Sequence, residues 1–154
     1  MEYFDDDYFD DEKIYPLDPK TVSSLLEEDG PLASFFEKYE AREPQLALTK
    51  SICRCFNEEA IGVFEAGTGV GKSLAYLLPA MMWAKQNKKR VVISTGTINL
   101  QQQLIEKDVL TAKKILGKSF QDMKACLVKG RHNFLCLRRM TQALRENDFF
   151  TEGQ

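Results

Sequence analysis

Residues 66–73 read Ala-Gly-Thr-Gly-Val-Gly-Lys-Ser, an order of residue types suited to holding a chain of phosphates. Glycines at 67, 69 and 71 let the backbone turn its N–H groups toward anionic oxygens that larger side chains would obstruct. Lys72 reaches the β- and γ-phosphates of a nucleotide, and Ser73 offers its hydroxyl to Mg²⁺, so these two are the catalytic candidates. Thr68 and Val70 fill the positions between glycines, and Ala66 stands where the strict Walker A pattern opens with Gly. The loop follows an apolar run at 61–65 and precedes a helix-like stretch at 74–78, so the positive end of a helix adds to the cradle. A glycine-rich turn that merely joins a strand to a helix is the plainer alternative.

The surrounding pattern supplies elements to hold such a loop. Residues 88–90 (Lys-Lys-Arg) turn into a second apolar run at 91–95, and a third lies at 125–128. Runs of this kind are buried in parallel sheets, and they alternate here with helical patterns at 72–86, 99–107 and 109–116. The expected fold is therefore α/β with a doubly wound parallel sheet. Ahead of the loop, Asp18-Pro19 predicts a capped helix running to Glu28 and stopping at Gly30-Pro31. A second helix is expected to carry Leu32, Phe35, Phe36 and Tyr39 on one face. A third, after Pro44, places Leu48, Ile52, Cys55 and Phe56 at helical spacing, which makes Cys55 a core hydrophobe and leaves Cys53 unmarked. Pro79 predicts a bend in the helix after the loop. The division is an acidic flexible tail at 1–17, leading helices at 18–60 and an α/β domain from 61 to 154.

With 154 residues, 44% of them hydrophobic, the chain is long enough for one domain with a sizeable core. Its net charge of −2 conceals a segregation: residues 1–12 hold seven acidic residues and no Lys or Arg. The remainder carries 21 basic residues against 16 acidic, and the stretch 85–145 holds fourteen against three. That stretch suits a polyanion, a solvated basic surface being the bland alternative. Cysteines at 53, 55, 126 and 136 show no paired spacing, and no signal peptide or twenty-residue apolar span is present. A reducing cytoplasm fits this, with no membrane partner; oligomeric state has no signature.

Three further segments resemble helicase motifs. Residues 39–45, Tyr-Glu-Ala-Arg-Glu-Pro-Gln, resemble the adenine-sensing element of superfamily 2 helicases, which implies that Arg42 and Gln45 meet the adenine of ATP. A planar amide suits that base, since it offers donor and acceptor together. Residues 94–104 resemble the strand-end and helix-start element by which these helicases hold a nucleic-acid backbone, implying that Thr95, Thr97 and Gln101 contact single-stranded DNA. Hydroxyls and a helix start suit phosphate; ordinary helix capping by Thr95 or Thr97 is the plainer alternative and can coexist with binding. Residues 128–136, Val-Lys-Gly-Arg-His-Asn-Phe-Leu-Cys, together with 65–73, are similar to the DinG branch of the DinG and XPD helicases.

That resemblance implies an ATP-dependent 5′-to-3′ DNA helicase of DNA repair with a P-loop, RecA-like motor. It also implies that Lys129 and Arg131 meet DNA and that Cys136 is the first of four ligands of a [4Fe–4S] cluster. Only Cys136 matches a ligand position. His132 falls at a variable position and is expected to be an exposed loop residue. No acidic residue after Ser73 closes an apolar strand, so the Mg²⁺-binding acid, three cluster ligands and the second motor half are expected beyond Gln154. The chain then corresponds to an incomplete first motor domain entering the iron–sulfur segment at about 129. A non-catalytic nucleotide- and DNA-binding module, or a small P-loop kinase, are the competing readings.

Overall fold

The computed structural model describes residues 13–148. The acidic segment 1–12 lies outside them, but residues 15–17, assigned above to the tail, do not hang free. The Tyr15 N–H donates to Asn87 Oδ1 at 2.6 Å and its carbonyl accepts from Asn87 Nδ2. Asn57 brackets Leu17 in the same way, and Leu17 is buried.

Asp18 begins helix α1 (Pro19–Ser24) as the sequence predicts, its carboxylate accepting from the N–H groups of Lys20 and Thr21 at 3.1 Å. A hydrogen bond from the Thr21 hydroxyl, with those N–H groups, holds the Asp18 carboxyl below its ordinary range. The helix stops at Ser24, short of Glu28, because tight turns take over: Leu26 N–H bonds Ser23 O and Gly30 N–H bonds Glu27 O. The expected second helix is only a 3₁₀ turn, Ala33–Phe35, with Phe35 and Phe36 exposed. Penned between Gly30-Pro31 and Pro44, the stretch is too short to repay helix nucleation. Leu32 is buried, and Tyr39 anchors the return by donating its hydroxyl to Leu26 O at 2.7 Å.

Helix α2 (Glu43–Glu58) lies between α1 and α3 (Lys72–Asn87) and packs on both. This sandwiching selects Leu46, Thr49 and Cys53 as its buried face. Cys53 is fully buried and Cys55 only half-buried, which reverses the sequence-based assignment. Both faces are apolar at helical spacing, so periodicity could not choose between them; the neighbours on either side did. On α3, Ala75, Leu77, Leu78, Pro79, Ala80 and Met81 are all buried. Burying a leucine such as Leu78 contributes about 2–3 kcal/mol.

Burial pushes the Cys53 thiol up to about 12, and the Asp18 carboxylate acts in the same direction. In the unfolded chain the thiol titrates at its ordinary 9.0. Above that pH the unfolded state sheds a proton that the folded state keeps, so stability is expected to fall as pH rises. Denaturation midpoints measured from about pH 8 to about pH 10 should decline, and Cys53→Ala should flatten the decline. An equal slope in both proteins would exclude Cys53 as its source.

Helix α4 (Ile98–Gln103) runs through a π turn (Leu104–Asp108) into α5 (Val109–Leu116), so the two expected pieces are one continuous rod. Its inner side contributes Leu104, Val109, Ala112 and Ile115 to the core. Helix α6 (Leu137–Asp148), which the sequence reading did not anticipate, follows the basic loop.

Among the described residues no strand is paired. Segments 60–67, 89–95 and 123–130 form neither helix nor ladder, and Ile61 (97% exposed), Val63 (94%) and Val92 (89%) face solvent. The apolar runs are where the sequence puts them, but a parallel ladder needs a neighbouring strand in register, and these three runs do not supply one another. Residues 89–95 and 123–128 instead flank, with α3 and α5, an apolar cavity of about 660 Å³. No helix among the described residues is long and apolar enough to cross a membrane.

Candidate nucleotide-binding site

The glycine loop is held between α2 and α3. Gly71 precedes α3 with φ +85° and Gly69 has φ +81°, both in the left-handed region that favours glycine. Gly71 is also needed for space, since a Cβ there would collide with the Gln45 amide, its Cδ 3.0 Å away. Around Gly67 and Gly69 a Cβ would meet nothing, so the loop's concave side is open.

Gln45, at the start of α2, is 3% exposed and donates its Nε2 to Gly71 O at 2.9 Å. One turn back, the Arg42 guanidinium donates to Gly69 O. Two side chains from residues 26 and 27 positions upstream therefore grip the loop at alternate glycines. The Gln45 bond uses one of the two amide hydrogens, and the amide lies against Gly71.

The Lys72 ammonium folds back over the loop and donates to Ala66 O at 2.8 Å and Gly67 O at 2.6 Å. Within the described residues no backbone hydrogen bond claims the N–H groups of 67–71. Unclaimed donors, an exposed lysine and the first turn of a 16-residue helix make a set that fits a polyphosphate. Ser73 is half-buried beside Tyr76, whose hydroxyl is pushed above its ordinary value by burial and drawn back in part by a hydrogen bond from Ser73. The sequence reading overlooked Tyr76, although its place one turn along the helix was a visible signal.

The residues expected to meet DNA do not converge to the same degree. Thr95 and Gln101 line the apolar cavity together. Thr97 caps α4, its hydroxyl accepting from Leu100 N at 3.2 Å, and Thr95 donates to Thr97 O at 3.2 Å. Lys129 is half-buried; Arg131 lies in an exposed 3₁₀ turn, Arg131–Asn133, that also exposes His132. Cys136 and Cys126 are exposed, and no group of three metal-ligating side chains exists among the described residues. A four-iron cluster needs four thiolates, so these residues do not fit one.

A glycine loop with Lys72 and Ser73 at the start of a 16-residue helix is the arrangement that defines P-loop proteins as a class. The family described as DEAD/DEAH box helicase matches residues 44–140, and the chain belongs to that family, which implies a RecA-like fold. It is 34% identical over 125 residues to the ATP-dependent DNA helicase YoaA of Haemophilus influenzae, covering 81% of this chain and 18% of that protein. To the Escherichia coli protein of the same name it is 40% identical over 114 residues, 74% of this chain and 17% of the other. The 3'-5' exonuclease DinG of Bacillus subtilis is 33% identical over 117 residues, 76% of this chain and 12% of its own length. The chain thus spans less than a fifth of these relatives. No solved structure matches it.

Proposed function

We propose that this chain binds ATP as part of a DinG-like ATP-dependent DNA helicase. Lys72 and the N–H groups of 66–73 bind the phosphates, and Gln45 with Arg42 receives the adenine. Mg²⁺ would be held by the Ser73 hydroxyl and phosphate oxygens, and when bound it neutralises charge on the phosphates. Single-stranded DNA crosses near Thr95, Thr97 and Gln101, with Lys129 and Arg131 on its backbone, as suits a 5′-to-3′ DNA helicase acting in repair. Residues 61–65, 91–95 and 125–128 are taken as strands of the doubly wound parallel sheet that the alternating pattern predicts.

The observation that carries this reading is the grip of Arg42 and Gln45 on the carbonyls of Gly69 and Gly71. A P-loop that served a kinase would need neither residue, whereas a site that reports adenine to the phosphate loop needs both on one rigid unit. Titration with ATP and GTP tests it. The unmodified chain is expected to prefer ATP, and Gln45→Ala should cost about 1 kcal/mol of ATP affinity while narrowing the gap to GTP. Equal affinity for the two nucleotides before any substitution would sink the adenine assignment.

A further inference from the structure

The helical hydroxyls of Ser23, Ser24, Thr49, Thr111 and Thr141 each return their proton to a main-chain carbonyl three or four residues back, at 2.8–3.1 Å. Ser73, in the first turn of α3, takes a different partner. The carbonyl four residues back, Gly69 O, already accepts from the Arg42 guanidinium, and the Ser73 hydroxyl donates instead to that of Tyr76, one turn along the helix.

The tyrosine is fixed from two sides. Its ring is half-buried against the hydrophobic core. Helix α3 also packs on the π turn, from which Asp108, held by Gln103 Nε2 at 3.3 Å, brings a negative charge to bear on the tyrosine hydroxyl. A carboxylate attracts the phenolic proton, which leaves the phenolic lone pairs for the proton of Ser73.

A serine hydroxyl has one proton and two lone pairs, and Mg²⁺ takes only lone pairs. A proton committed to Tyr76 leaves both pairs available and fixes the rotation of the hydroxyl. The same proton sent to a carbonyl behind it would turn the hydroxyl toward the helix's own main chain. We propose that Tyr76 is a positioning residue for a divalent cation: by accepting the Ser73 proton it holds the Ser73 oxygen ready to ligate the Mg²⁺ of a bound nucleotide. The inference deepens the proposed function, resting on its reading of Ser73, and it assigns Tyr76 no contact with nucleotide or metal.

Calorimetric titration of the whole chain with ATP, once with excess Mg²⁺ and once with a chelator, separates this role from a structural one. The unmodified chain is expected to bind more tightly with Mg²⁺. Tyr76→Phe keeps the ring in place and removes only the hydroxyl. It should lose about fivefold in affinity with Mg²⁺, the effect of one neutral hydrogen bond, and change less than about twofold under chelation. Ser73→Ala should show the same split, and the double variant no further loss, since Tyr76 acts only through Ser73. Denaturant unfolding of the three variants checks that each is folded. Losses that add in the double variant, or equal losses with and without Mg²⁺, would overturn the proposal by making Tyr76 a structural support of the whole loop. Full affinity of Tyr76→Phe with Mg²⁺, beside a loss in Ser73→Ala, would overturn it while leaving Ser73 as the ligand. An unmodified chain indifferent to Mg²⁺ would remove the reading of Ser73 itself and this inference with it.

Discussion

Lys72→Ala is expected to weaken ATP binding about a hundredfold, the worth of two charge-assisted hydrogen bonds to phosphate oxygens at about 1.5–3 kcal/mol each, less partial compensation by water. In the structure this ammonium rests on the carbonyls of Ala66 and Gly67, so the phosphates must draw it away from two good acceptors. Because Lys72 is exposed, its removal should leave the free energy of unfolding within about 0.5 kcal/mol of the original. Calorimetric titration with ATP and a denaturant series on the same preparation check both halves. Retained affinity would mean that backbone N–H groups alone hold the phosphates.

Gly71→Ala carries a different expectation, because this glycine is constrained twice. Its φ of +85° costs an alanine about 1–2 kcal/mol, and the new Cβ would press on the Gln45 amide. Gln45 is buried and cannot step aside without breaking its bond to the Gly71 carbonyl. The expected result is a loss of about 2–4 kcal/mol in stability, together with weaker nucleotide binding. Gly67→Ala is the matched comparison, since a Cβ there meets nothing and φ is not positive. Similar stability losses in the two variants would show that the contact between α2 and the loop is not rigid.

The separation between these positions explains what was legible from sequence. Asp18 as a helix cap, Thr97 as another, the glycine loop at 66–73 and helix α3 behind it all depend on residues within a few positions of one another, and local sterics and hydrogen bonding suffice to specify them. Gln45 and Arg42 were legible only through resemblance to helicases, since nothing in residues 39–45 announces a contact with a loop 26 positions away. Elements that propensity alone suggested fared worse: the helix expected at 32–39 gave way to a single 3₁₀ turn.

By itself, then, the sequence determined the phosphate loop, its helix and the segregation of charge into an acidic start and a basic later stretch. Only the tertiary structure decided that Cys53 and not Cys55 is buried, that residues 15–17 belong to the fold, and that Lys72 is stored on the loop's own carbonyls. The physical reason is the same in each case. A helix with two apolar faces, a lysine with four rotatable bonds and an asparagine at a helix end each have several local states of nearly equal energy. Which state wins is set by the packing of α1 and α3 around α2, and that packing is not contained in any short window of the chain.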